Sequence, residues 1–189
     1  MIEKSLNDNN TTTNNSNQIE TKLDALGLKI PERLKVPPNV KTPFTWVRVR
    51  GDKAYISGHG PQNPDGSIAG PFGKVVGVGQ EVGGEVEERV SVEQAYESAK
   101  LAGLSILGSL KTELGRLDRV TAWLQVRGMV NTVQGFTQTT DVINGFSDLI
   151  LTLYGPEVGI HARSAIGVQA LPLGLPVIIE GLIEIDIDS

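Results

Sequence analysis

The stretch that most limits the fold is PVIIEGLIEIDI, residues 176 to 187. Successive side chains of a β-strand point to opposite faces, so a half-buried strand is apolar only at every second position. Here Val177, Ile179 and Ile183 lie on one face, and Ile178 and Leu182 are apolar on the other. A strand of this kind must be covered on both sides.

The rest of the chain offers two sizeable helices for that task. SVEQ, residues 91 to 94, is a capping box with Ser91 at the N-cap and Gln94 three positions on. Val92, Ala95, Tyr96, Ala99, Ala102, Ile106, Leu107, Leu110 and Leu114 then follow helical spacing as far as Gly115. A second helix is expected from about Asp141 to Leu153, through Val142, Phe146, Leu149 and Ile150, ending at Gly155-Pro156.

Strands frame these helices. FTWVRVRG and KAYISG form a hairpin about Gly51-Asp52, with Trp46, Arg48 and Arg50 on one face and Thr45, Val47 and Val49 on the other. DRVTAWLQVRGMV alternates, placing Val120, Ala122, Leu124 and Val126 together, and ARSAIGVQAL leads through Pro172 to Pro176 into the last strand. The order of hairpin, helix, strand, helix, strand, strand predicts an α+β fold, a mixed sheet with two helices packed on one face. Those helices cover one side only. Other copies of the chain are the cover expected on the second side, with sites at the subunit interfaces.

At 189 residues the chain suits a single domain. Residues 1 to 18 include SLNDNNTTTNNSNQ, too polar to offset the entropy of ordering, and are expected to be a disordered tail ahead of one domain at 19–189. IETKLDALGLKIP has the spacing of a short amphipathic helix, and PERLKVPPNVKTP is a proline-punctuated linker. The Gly- and Pro-rich residues 59 to 90 read as a long loop with one short strand near Lys74 to Val78.

Composition removes several function classes. With no cysteine, disulfides, thiolate metal sites and a cysteine nucleophile are excluded. A net charge of -5 opposes nucleic-acid binding, which draws on clustered Lys and Arg. No apolar run is long enough to span a bilayer, and MIEKSLNDNN resembles no signal or transit peptide, so a cytoplasmic protein is expected. Two histidines with no ligand spacing give no metal site. GKVVGVGQEVGGE contains G-x-G but does not join a strand to a helix as a nucleotide fingerprint does. Ser57, His59 and His161 lack a G-x-S-x-G elbow, and SGHG sets serine and histidine two residues apart, which is no triad.

Arg163 is the sharper candidate. On an alternating strand it points with His161, Ala165 and Gly167, leaving space around a guanidinium fork suited to a carboxylate. An internal ion pair with Glu180 on the following strand explains the charge equally well.

AYISGHGP, SVEQA with AGLSILGSL, LDRVTAWLQV, VINGFSDL and HARSAIGVQALP occur here in order, and together they resemble the RidA (YjgF) family, once called L-PSP endoribonucleases. The resemblance spans roughly residues 20 to 187. It implies a chorismate-mutase-like fold, a homotrimer with clefts between subunits, and hydrolysis of reactive enamines and imines to 2-keto acids and ammonia with no cofactor. Arg163 matches the arginine that clamps the substrate carboxylate, and Ser57 and Asn144 match residues lining the cleft, with Phe44 and His59 beside them.

Three positions depart from the family pattern. Phe44 falls where active members carry a tyrosine, and Ala165 where many carry cysteine. Ile178 falls where deaminases keep the glutamate that positions or activates water, and Glu180 occupies the next position on that face. Glu180 is therefore the catalytic candidate, because imine hydrolysis needs a proton carrier that Ile178 cannot be. The same pattern resembles a longer subgroup of the family. A trimer that binds small keto acids without turnover is the alternative, and the acidic balance argues against the endoribonuclease that the older name implies.

Overall fold

The computed structural model describes residues 17–36, 41–77, 79 and 89–187. Most of the expected N-terminal tail and much of the glycine-rich stretch after Val76 lie outside the described residues.

The described residues begin with helix α1 (Gln18–Ala25), then strands β1 (Val47–Arg50) and β2 (Lys53–His59), which pair as the expected hairpin. Two short strands, β3 (Lys74–Val75) and β4 (Arg89–Val90), form a separate parallel pair. Helix α2 (Val92–Leu114), β5 (Val120–Asn131), helix α3 (Thr139–Gly159), β6 (Ala162–Val168) and β7 (Val177–Ile185) complete the fold. The capping box opens α2: Ser91 Oγ accepts from the Gln94 amide at 3.1 Å and Gln94 Oε1 accepts from the Ser91 amide at 2.9 Å. Helix α3 is broken at Gly155, where φ of 74° lies in the left-handed region and Pro156 follows, and a further helical segment continues to Gly159. The expected stop at Gly155-Pro156 is thus a kink.

The five-stranded sheet runs β1-β2-β7-β5-β6. All neighbours are antiparallel except β5 and β6, whose parallel pairing uses α3 as the crossover. Strands β6 and β7, consecutive in sequence, are therefore separated by β5. On β5 the alternation breaks where the register shifts between Trp123 and Gln125. Trp123 and Val126 both turn inward, and Ala122 and Leu124 are only half-buried, which corrects the simple period-two reading of this strand.

Helices α2 and α3 cover one face. Val177, Ile179 and Ile183 of β7 are fully buried there, and Trp123 packs edge-on against Phe146 of α3 with ring centroids 5.5 Å apart. Gly145 lets the two helices meet, since a Cβ at that position would overlap the Tyr96 carbonyl oxygen. Helix α1 buries Ile19 and Leu23, and Lys22 Nζ donates to the Leu153 carbonyl at 2.6 Å, fixing α1 to α3. The opposite face of β7 carries Ile178, Glu180 and Leu182, all half-buried, with Tyr55 of β2 beside Leu182 and 52% exposed. No helix among the described residues lies on it.

Candidate active site

Strand register decides where Arg163 points. Arg163 pairs with Val126 and Ala165 with Gly128, so Arg163 shares the helix-covered face with the buried Val126. Because β6 is the sheet edge, its guanidinium reaches the flank of α3. There Nη1 donates to Asn144 Oδ1 at 3.0 Å and to Ser147 Oγ at 2.8 Å. Asn144 and Ser147 are three apart in the helix, the spacing that puts two side chains on one face. Among the described residues, no carboxylate lies within ion-pair distance of Arg163, and Nη2 and Nε carry no hydrogen bond. Three N–H groups of a rigid fork are left for an anion.

Ser147 links Arg163 to His161. The Ser147 hydroxyl lies 2.9 Å from His161 Nε2, and His161 Nδ1 lies 2.8 Å from the Gly159 carbonyl. A carbonyl can only accept, so Nδ1 carries the imidazole proton and Nε2 accepts from Ser147. Burial pushes the His161 pKa below its ordinary value of 6.5; the Gly159 carbonyl opposes this, and the Arg163 charge adds to it. His161 is therefore neutral at pH 7.

The ion pair between Arg163 and Glu180 does not form. Val126 of β5 pairs with Gly181 on one side and Arg163 on the other, so Arg163 stands level with Gly181. Glu180, one residue along, pairs with Arg127 and faces the opposite side of the sheet. Its carboxylate lies 3.2 Å from Arg127 Nη1, a pair about half exposed.

Glu180, Ser57 and Phe44 share a cavity of about 600 Å³ on that open face, with Arg48, Tyr55 and Gln125 also in its lining. Ser57 lies at the β2 bulge and donates from Oγ to the Thr45 carbonyl at 2.7 Å. Phe44 is 53% exposed and stands edge-on to Trp46 at 5.1 Å. The candidate residues thus form two groups within one chain, Arg163 with Asn144 and Glu180 with Ser57 and Phe44.

His59 is buried beneath the second group. Its Nδ1 donates to the Ser57 carbonyl at 2.6 Å, its Nε2 accepts from Ser109 Oγ at 2.8 Å, and the Trp46 ring lies tilted against it with centroids 5.1 Å apart. Burial holds its pKa at about 4 against the pull of the Ser57 carbonyl, so it is a neutral wall residue. It lines a neighbouring cavity of about 480 Å³ together with Phe44, Trp46, Gly58 and Ile178. Ile178 packs against Gly58, where an added Cβ would come within 2.8 Å of its Cγ2.

Sequence reasoning passed over Ser147 and set His161 aside as a triad member. Their signal was the register: Ser147 stands three residues after Asn144 on α3, and His161 shares the parity of Arg163. Among the described residues no three His, Cys, Asp or Glu side chains gather as a metal site, and no helix is long and apolar enough to cross a membrane.

Comparisons with known proteins extend this picture. No family model matches the chain. Protein TCP17 of Trypanosoma cruzi is 30% identical over 171 residues, covering 90% of this chain and 96% of that protein. The crystal structure of Atu1372 from Agrobacterium tumefaciens, a protein of unknown function, is 31% identical with a TM-score of 0.73, covering 91% of this chain and 94% of that one. A solved protein of Shewanella oneidensis has the same fold, with a TM-score of 0.73 at 24% identity over 89% of this chain and 99% of that one. With the ordered motifs it carries and a fold shared with these solved structures, the chain belongs to the RidA-like family.

Proposed function

We propose that the protein binds the carboxylate of a small 2-imino or 2-enamino acid on Arg163 and hydrolyses it to the 2-keto acid and ammonia without a cofactor. The observation that carries this reading is the state of Arg163. Asn144 and Ser147 fix one nitrogen of its guanidinium, and among the described residues no acid neutralises the charge. A pre-oriented, uncompensated guanidinium at a sheet edge suits a small carboxylate, which accepts two parallel N–H bonds. The clamp would leave C2 of the substrate one bond from the held group.

The second group of residues enters from another copy. Glu180, Ser57 and Phe44 lie across the sheet from Arg163 of their own chain, so the two groups can meet only between subunits. A homotrimer, closed by apolar contact over Ile178 and Leu182, supplies such boundaries. In this arrangement Glu180 orients the attacking water, and Ser57 and Asn144 shape the cleft. Ammonia release from a freshly generated 2-imino acid tests the reading. The protein accelerates it and Arg163→Ala abolishes the acceleration; no acceleration with any imino acid refutes hydrolysis.

A second reading is favoured by Ile178, which puts an apolar side chain against Gly58 where the family resemblance would have an acid. Under it the trimer holds 2-keto acids without turning them over. Calorimetric binding of a keto acid with no ammonia release supports this alternative, and no binding across a keto-acid panel removes it.

A further inference from the structure

Ser147 and His161 form the only imidazole and hydroxyl pair in direct line with Arg163 among the described residues. Ser147 Oγ lies 2.8 Å from Arg163 Nη1 and 2.9 Å from His161 Nε2, and His161 Nδ1 is held at 2.8 Å by the Gly159 carbonyl. Each bond in this series has a fixed direction. The guanidinium can only donate, so Ser147 accepts from it; the Gly159 carbonyl can only accept, so Nε2 is a lone pair aimed at the Ser147 proton. A hydroxyl that merely braced Arg163 against α3 would not need an imidazole acceptor behind it.

We propose that Ser147 and His161 are the proton carrier of the Arg163 site, with Ser147 as the relay and His161 as the base. The inference rests on the reading of Arg163 as a carboxylate clamp. It supplies the function that Ile178 cannot, from the same chain as the clamp.

Water oxygen bonds to C2 of the bound iminium as the C=N π pair moves to nitrogen. The proton that water loses passes to Ser147 Oγ while the proton of Ser147 passes to His161 Nε2, leaving an imidazolium. The same path then returns a proton to the amine nitrogen of the carbinolamine. The C–N bond breaks with its electron pair on nitrogen, ammonia leaves, the C2 hydroxyl becomes the carbonyl, and its proton departs through His161 to solvent. Iminium and water give keto acid, ammonia and one proton, with no redox partner.

The groups around His161 are suited to this role. Arg163 on β6 is the charge that acts on it. Phe146 of α3 stands edge-on at 5.8 Å, and Asp148, next to Ser147 on α3, is engaged by the Tyr96 hydroxyl of α2 at 2.8 Å. Burial and the Arg163 charge keep the imidazole neutral and ready to accept a proton. A carboxylate on Arg163 offsets that charge and raises the affinity of His161 for a proton, the direction a base needs once substrate is in place. By reciprocity, keto acid binds more tightly where His161 is protonated.

The test uses the full-length chain with pyruvate as the binding probe and a freshly generated 2-imino acid as substrate. The chain has two histidines, so nitrogen NMR resolves both imidazoles and reports the protonation of His161 with and without pyruvate. The expected results are a rise in the His161 pKa on adding pyruvate, and a fall in kcat of about 100-fold or more in His161→Gln with the pyruvate Kd changed less than about threefold. The acid limb of the kcat/KM profile, below the ordinary imidazole value of 6.5, disappears in that variant. Ser147→Ala shows the same loss and Ser147→Thr, which keeps the hydroxyl, restores it. His161→Asn, which can still donate to Gly159, separates loss of the base from loss of the fold. If the wild-type protein hydrolyses imine and His161→Gln keeps both its rate and its acid limb, the proton-carrier role is wrong while the clamp stands. Binding of pyruvate without any hydrolysis overturns it too, and no pyruvate binding by the wild type overturns the clamp itself.

Discussion

Arg163 and Glu180 lie on opposite faces of one sheet, because Arg163 stands level with Gly181 across β5 while Glu180 pairs with Arg127. Their charges therefore act independently within a chain. In single chains kept apart by Leu182→Glu, a double-mutant cycle by chemical denaturation should give a coupling near zero for Arg163 and Glu180, as for separated sites. The half-exposed Arg127–Glu180 pair should couple by about 0.2–1 kcal/mol. A larger coupling between Arg163 and Glu180 would contradict the register described above.

The crossing of α2 and α3 depends on Gly145. A methyl at that position would collide with the Tyr96 carbonyl oxygen, which is backbone and cannot swing aside. Gly145→Ala should destabilise the protein by at least about 1–3 kcal/mol, the cost of overpacking. Asn144 and Ser147 flank it on α3, so the variant should also weaken keto-acid binding. A denaturation midpoint unchanged from wild type would count against this close contact.

His59 gives the fold an acid sensitivity. Its folded pKa of about 4 lies below its ordinary value of 6.5, so the unfolded chain binds the extra proton. The associated stability is fully present above pH 6.5 and is lost as pH falls from there toward 4. The loss amounts to roughly 3 kcal/mol at about 1.4 kcal/mol per pKa unit. Unfolding free energies measured across this range should fall by about that amount, and His59→Gln should remove its share of the slope.

The open sheet face predicts assembly. Leu182 on β7 and the half-exposed Tyr55 beside it on β2 leave apolar surface without cover from the described chain. Sedimentation should give a particle of three times the 20.2 kDa chain mass. Leu182→Glu, which places a charge in that contact, should shift it toward monomers. A wild-type monomer at micromolar concentration would remove the inter-subunit site.

Much of this was legible from local pattern. The capping box at Ser91, the helical spacing to Leu114, the hairpin about Gly51 and the two-sided apolar character of β7 each follow from residues close in sequence. Partnerships between distant residues were harder to read. The insertion of β5 between β6 and β7 is a topological fact that alternation cannot carry, and it moves Glu180 to the face opposite Arg163. The β5 bulge likewise turns Trp123 inward against a simple count of two. Ser147 escaped notice because a lone serine on a helix has no signal until the register of β6 brings Arg163 and His161 to it.

A guanidinium held by Asn144 and Ser147, as that of Arg163 is, should take up a small carboxylate. Calorimetric titration of pyruvate into the wild-type protein and Arg163→Ala, both verified as folded by circular dichroism, tests it most directly. Saturable binding by the wild type that is lost in Arg163→Ala is the predicted result. Equal binding by the two proteins, or none by the wild type, would contradict it.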